Sequence, residues 1–144
     1  FIDFKNNLSL SDLGTGAGFP GIILAIFNRN CKFHVKLYEK SRVKIKFLRS
    51  ICEKLNIKAK IYENDYSSHL IDSNYIVSRA FKKLKEHIRI SREIVKVNHK
   101  LIILKGKNAE KEIKQLNNNF DYSYSLEKSI TSPDSKILIV NIKK

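Results

Sequence analysis

Asp12-Leu-Gly-Thr-Gly-Ala-Gly-Phe-Pro-Gly21 sets four glycines within eight residues behind an acid. Ahead of it, Leu8-Ser-Leu-Ser-Asp-Leu13 alternates as a strand does, and behind it Ile22-Ile-Leu-Ala-Ile-Phe27 continues as an apolar helix. A strand, a glycine turn and a helix in that order bring backbone N–H groups and a helix N-terminus to one spot, where a ligand can approach without side-chain clash. A simple tight turn does not require so many glycines, each of which costs conformational entropy. The loop reads as a cradle for a nucleotide-type ligand.

The glycines admit two parses. Gly16-x-Gly18-x-x-Gly21 has the dinucleotide spacing, and Gly14-x-Gly16-x-Gly18 with Asp12 two residues ahead suits an adenosyl donor. Glu39, the next acid at a strand end, serves either ligand, since both present vicinal ribose hydroxyls. Asp12 favours S-adenosylmethionine, because a carboxylate there can meet the cationic amino group of a methionyl moiety, directly or through water, whereas a pyrophosphate gains nothing from it. Asp65, after the third strand, stands where a side chain can reach an adenine amino group. The chain also has no length left for a separate substrate domain.

Periodicity extends the pattern along the chain. It predicts strands at 8–13, 33–38, 58–63, 75–78, 100–105, 120–127 and 136–142, and helices at 19–28, 41–55, 82–97 and 108–117, with a short turn at 66–71. In the helix at 41–55, Ser41 is placed to cap, Ile45, Leu48, Cys52 and Leu55 recur at helical spacing, and Arg42, Lys46, Arg49 and Glu53 form the opposite stripe. Alternating strands and helices predict a mainly parallel α/β sheet with helices on both faces. The last two strands have only Lys128 to Ser135 between them, with a Ser132-Pro133-Asp134 turn, so they should close the five parallel strands as an antiparallel hairpin. That is the methyltransferase-type variant of the doubly wound sheet.

At 144 residues and 42% hydrophobic, the chain fits one domain with one core, spanning 1–144. A net charge of +14, from 28 basic and 14 acidic residues, points to a polyanionic partner, nucleic acid before an anionic membrane. Cys31 and Cys52 make neither a disulfide framework nor a metal spacing, which points to a reduced, intracellular chain. His34, His69, His87 and His99 share no ligand spacing, so no metal is expected and each reads as a surface or strand-end histidine. The run Ile22 to Phe27 is too short to span a bilayer. With Phe1 first and no methionine, the chain reads as a fragment or processed form.

Asp12-Leu-Gly-Thr-Gly-Ala-Gly-Phe-Pro-Gly21, Lys46-Phe-Leu-Arg49, Val77-Ser-Arg-Ala-Phe81 and Leu104-Lys-Gly-Lys107, in this order, resemble the small-subunit 16S ribosomal RNA guanine-N7 methyltransferase family, also known as glucose-inhibited division protein B. The likeness runs from about Ile2 to the C-terminus, and Gly-Phe-Pro-Gly and Ser-Arg-Ala-Phe are its most specific parts. It implies a class I S-adenosylmethionine-dependent methyltransferase fold, Rossmann-like, acting in the cytoplasm as a monomer on a guanine of 16S rRNA in the small ribosomal subunit. It also implies that an N-terminal helical region is missing. By the same resemblance Gly14 and Phe19 would contact the donor together with the loop positions Gly16 and Gly18. Glu39 would hold the ribose, Asp65 and Tyr66 would border the adenine, and Arg79 would lie at the methionyl end near the acceptor.

Guanine N7 carries no proton, so no catalytic acid, base or nucleophile is assigned. Arg79 and Lys105, at the ends of the fourth and fifth strands, are the candidates for positioning the base or its phosphate. Arg42, Lys44, Lys46 and Arg49, with Lys82, Lys83, Lys85 and Lys107, are the candidates for gripping RNA phosphates. Two rivals share parts of this pattern: a nicotinamide-dependent oxidoreductase built on the same glycines, and a non-enzymatic RNA-binding module with a degenerate cofactor site.

Overall fold

Ser9–Leu13 (β1) is buried at every position, as befits a strand paired on both edges and covered on both faces. The computed structural model describes residues 1–63, 66–116 and 122–144. After β1 come α1 (Gly21–Phe27), β2 (His34–Glu39), α2 (Arg42–Lys54), β3 (Lys60–Glu63), a 3-10 turn (Tyr66–Ser68), β4 (Tyr75–Arg79), α3 (Leu84–Ile94), β5 (His99–Lys105), α4 (Ala109–Lys114), β6 (Tyr124–Lys128) and β7 (Lys136–Ile142). Each expected element is present among the described residues, most of them shortened at the ends, while β2 and β6 reach one residue further on, β4 gains Arg79 and β5 gains His99. Residue 117 of the expected last helix and residues 120 and 121 of the expected sixth strand lie outside the described residues.

The seven strands form one sheet in the order β3-β2-β1-β4-β5-β7-β6. The first five run parallel, and β7 pairs antiparallel with both β5 and β6. The closing hairpin therefore folds back so that β7, the last strand, slots between β5 and β6. This order separates the chain from the all-parallel 3-2-1-4-5-6 sheet of dinucleotide-binding enzymes, in which the sixth strand takes the place beside the fifth.

Period-2 alternation splits the apolar side chains between two cores. Leu10, Val35, Leu37, Val77, Ile102 and Ile139 face α1 and α2, while Leu13, Ile76, Leu101, Ile103, Leu138 and Val140 face α3 and α4. Strand order reverses at β1, which pairs with β2 on one edge and β4 on the other. The crevice at the carboxyl ends of these strands is where open α/β sheets bind ligands.

Several local expectations are corrected. Ser41 occupies the N-cap of α2 without a side-chain cap; its backbone N–H instead donates to Glu39 Oε1 at 2.8 Å. Ile45 and Leu48 are buried as expected and Cys52 is half-buried, but Leu55 is 59% exposed because the helix stops at Lys54 and Leu55 leaves its apolar face. His87 is a core residue, neither at the surface nor at a strand end, and His99 is at a strand end as expected, the first residue of β5, but buried there. His87 on α3 is fully buried, with Ser78 Oγ 3.4 Å from its ring nitrogens, and His99 is bonded to Ser91 Oγ and Val97 O. Among the described residues no helix is long and apolar enough to cross a membrane.

Candidate functional site

The glycine loop closes back on the strand that launches it. Asp12 is fully buried, and its Oδ2 accepts hydrogen bonds from Thr15 Oγ1 at 2.6 Å and from the Gly21 N–H at 2.8 Å. One carboxylate oxygen thus ties the middle of the loop to the first residue of α1. A Cβ on Gly21 would meet Asp12 Oδ2 at 2.7 Å and Leu37 Cδ2 at 2.4 Å, so the close approach that makes this tie requires glycine. Burial pushes the Asp12 carboxyl up to about 6, against the two hydrogen bonds and the Arg79 charge, which pull it down. Its Oδ1 is buried with no partner among the described residues. Asp12 therefore acts first as the staple of the loop, a role its reading as a ligand contact did not include.

The loop is also fixed to β2. The Thr15 N–H donates to Tyr38 O at 3.0 Å, and the Gly16 N–H donates to Glu39 Oε2 at 2.9 Å. Both Glu39 oxygens hold backbone N–H groups, Gly16 on one and Ser41 on the other, which orients the carboxylate at the strand end. Each oxygen keeps a second lone pair for a further donor.

Across the crevice, Arg79 ends β4 and sets its guanidinium over the Phe19 ring, 5.4 Å from the centroid. Phe19 is 45% exposed, so the pair stands at the mouth of the loop. Ala80 follows at φ +50, and Phe81 then packs on Gly14, where an added Cβ would fall 2.9 Å from Phe81 Cδ2. Gly14 itself sits at φ +66, a conformation that favours glycine. Phe81 also meets Tyr66 edge-on at 4.9 Å and His87 at 4.9 Å. Sequence reading used Phe81 only as a motif letter and missed it as a wall of the site, as it missed Thr15 and Tyr38. The signal available was the position of Phe81, two residues after a strand-end arginine. Asp65 lies outside the described residues.

The structure thus brings Asp12, Gly14, Gly16, Gly18, Phe19, Glu39, Tyr66 and Arg79 to the carboxyl ends of β1 to β4. Lys105 is differently engaged. Its ammonium, largely buried, pairs with Glu112 Oε2 at 2.8 Å and lies 3.4 Å from Lys82 O, tying β5 to α4. Glu112 Oε2 also accepts the Leu84 N–H, so this knot fixes the start of α3. Its expected role in positioning a base or phosphate would require breaking that pair.

The basic candidates fall on two sides of the crevice. Arg42, Lys44 and Lys46 are exposed on α2 without carboxylate partners among the described residues, whereas Arg49 is paired with Glu63. Lys82 pairs with Glu86 at 3.2 Å, and Lys83, Lys85 and Lys107 are exposed at the starts of α3 and α4. Because α2 lies on one face of the sheet and α3 and α4 on the other, these cations flank the crevice and do not form one patch.

The site suits an adenosyl donor on its own features. The strand-end carboxylate of Glu39 has acceptor capacity to spare, the loop backbone is open at Gly14 and Gly16, and the buried Asp12 Oδ1 lacks a donor.

Comparison with known proteins agrees. The family model described as GidB, rRNA small subunit methyltransferase G, matches residues 1–139. The chain is 38% identical to the ribosomal RNA small subunit methyltransferase G of Pelagibacter ubique over its whole length, covering 68% of that protein. It is likewise 38% identical over 113 residues to the protein of that name from Mycoplasma capricolum, of which it covers 48%. A SAM-dependent methyltransferase from Aquifex aeolicus superposes with a TM-score of 0.72 at 13% identity, over 96% of this chain and 84% of that one, a likeness of fold. With a family match that runs from Phe1 through the glycine loop at the crevice and into β7, the chain belongs to the rRNA small subunit methyltransferase G family.

Proposed function

We propose that this domain binds S-adenosylmethionine in the crevice above β1, β2 and β4 and methylates N7 of a guanine in 16S rRNA. The observation that carries the reading is the loop between β1 and α1, stapled by Asp12 and docked on Glu39, in a chain of this family. Glu39 would take the ribose hydroxyls, Gly14, Gly16, Gly18 and Phe19 would line the donor, Tyr66 would border the adenine, and Arg79 would stand at the methionyl end. The unpartnered Asp12 Oδ1 is the acceptor available to the methionyl amino group, directly or through water.

The donor supplies a methyl group already activated on a sulfonium. Guanine N7 attacks with an in-plane lone pair and loses no proton, so the protein needs no general base. Its own work is alignment and exclusion of water, and correct positioning can supply about 7–11 kcal/mol of a barrier. Asp12, although its carboxyl sits near neutrality, is fully buried and engaged in the loop, which suits a structural acid. Arg79, held over Phe19 at the mouth, is the residue best placed to orient the incoming base. The cations of α2, α3 and α4 would hold the RNA backbone on either side. The same reading has the protein work in the cytoplasm as a monomer.

Thermal denaturation with added ligands separates this reading from an oxidoreductase. S-adenosylhomocysteine at a hundredfold excess over its Kd should stabilise the domain by about 2.7 kcal/mol and NADH should leave it unchanged. Stabilisation by NADH alone would overturn the reading.

A further inference from the structure

The amino ends of β2 and β3, opposite the donor loop, open onto a groove of about 950 Å³. Its cationic lining comes from Arg29, Lys36, Lys58 and Lys60, with His34 beside them, and no acidic residue lines it among the described residues. Lys36 is paired with Asp72, but Arg29, Lys58 and Lys60 are exposed and have no carboxylate partner among the described residues. Lys60 rests 4.9 Å from the Tyr62 ring centroid, which leaves its ammonium at the groove wall. Three unpaired cations around one concavity repel one another, an arrangement that a polyanion relieves.

The groove is not isolated from the site. α2 begins beside Glu39 and ends at Lys54, next to the groove residues Leu55 to Lys60. Its 13 residues span about 20 Å at 1.5 Å per residue. Arg42, Lys44 and Lys46 are exposed at the crevice end and Lys54 at the groove end. The two basic regions are thus ends of one track along the β2–β3 side of the domain. An RNA backbone lying along this track would meet cations at two places about 20 Å apart.

We propose that this groove is a second phosphate-gripping surface, which holds the RNA backbone about 20 Å from the nucleotide in the crevice. The inference rests on the reading of the domain as an RNA methyltransferase. It adds a contact that the residues around the donor do not predict, since the groove lies at the other end of the sheet. Phosphate contacts of this kind fix the register of the substrate without reading its sequence.

The test is binding of a 16S rRNA transcript across a range of salt concentrations by the wild-type protein and two triple variants. In the groove variant, Arg29, Lys58 and Lys60 are replaced by glutamine. In the control, Lys114, Lys128 and Lys143, exposed elsewhere, are replaced in the same way. Both lower the net charge by three. The groove variant should reduce the slope of log K against log salt by about 2–3, while the control changes it by less than 1. Stabilisation by S-adenosylhomocysteine should be equal in all three proteins, which shows that the donor site is intact. Equal slopes for the groove variant and wild type, or equal losses in groove variant and control, overturn the groove proposal and leave the methyltransferase reading standing. RNA binding by the wild type that does not respond to salt overturns the phosphate-gripping role of both ends of the track. Failure of S-adenosylhomocysteine to stabilise the wild type strikes the methyltransferase reading, and the groove inference falls with it.

Discussion

Replacing Asp12 by asparagine should change how the domain responds to acid. Burial raises the Asp12 carboxyl from 3.8 to about 6, and at 1.36 kcal/mol per pH unit this displacement is worth about 3 kcal/mol. Because the value is raised in the folded state, the associated stability is fully present below 3.8 and is lost as pH rises through about 6. His87 works in the opposite direction. Burial, with the Lys105 charge second, pulls its imidazole from 6.5 down to about 3. Its stability is present above 6.5 and drains away as pH falls towards 3. Between pH 7 and pH 4 the two groups nearly cancel, Asp12 adding about 2 kcal/mol and His87 removing about 3 kcal/mol. Asp12→Asn keeps an oxygen to accept from Thr15 and Gly21 but silences the first group and leaves the second. Relative to wild type, the variant should therefore lose about 2 kcal/mol more between pH 7 and pH 4, or about 6 °C in Tm at roughly 3 °C per kcal/mol for a chain of this size. His87→Gln should do the reverse and gain on wild type as pH falls. Asp72 and Glu112, whose carboxyls are lowered by Lys36 and Lys105, lose stability in acid in all three proteins and drop out of the differences. Urea unfolding at pH 7, 6, 5 and 4 at constant ionic strength measures this. Parallel profiles for wild type and Asp12→Asn would refute the burial argument.

Gly14→Ala forces a side chain onto φ +66 and within 2.9 Å of Phe81, so it should cost at least about 1–2 kcal/mol in urea unfolding and weaken S-adenosylhomocysteine binding. Gly106→Ala, with no atom within 4 Å of the added Cβ, should change neither and serves as its control. Glu39→Gln retains one acceptor but loses the charge; by calorimetry, affinity for S-adenosylhomocysteine should fall by about 1.5–3 kcal/mol, roughly ten- to a hundredfold. Arg79→Gln gives up a surface cation–π contact worth about 0.5–1 kcal/mol, so the fold should persist while methyl transfer to rRNA drops; unchanged transfer would remove Arg79 from the site.

The glycine loop, the five parallel strands and the final hairpin were legible because each rests on local pattern: glycines after an alternating strand, helical spacing between strands, a proline turn near the end. Glu39 was legible for the same reason, as an acid at a strand end. What escaped was set by tertiary packing. Nothing in the letters around Asp12 says that its carboxylate turns inward to the Gly21 N–H, because that bond spans a loop whose course the sequence does not specify. Phe81 became a wall only through the positive φ of Ala80. Lys105 looked free at a strand end until Glu112, seven residues on, was folded against it. His87 gave no sign of burial because its stripe on α3 includes serine as well as isoleucine. The basic groove joins Arg29 to Lys58 and Lys60, residues distant in sequence that meet only when β3 pairs beside β2.

Delivery of a methyl group from this crevice to guanine N7 of small-subunit rRNA is open to assay. Incubation of the protein with small ribosomal subunits and S-adenosylmethionine labelled in its methyl group tests it directly, followed by chemical strand scission at 7-methylguanosine to locate the label. Label is expected in 16S rRNA at a single guanine, cleavable as the N7-methyl derivative and reduced by Arg79→Gln. Label on another base or atom, or no transfer from a protein that S-adenosylhomocysteine fails to stabilise, would contradict it.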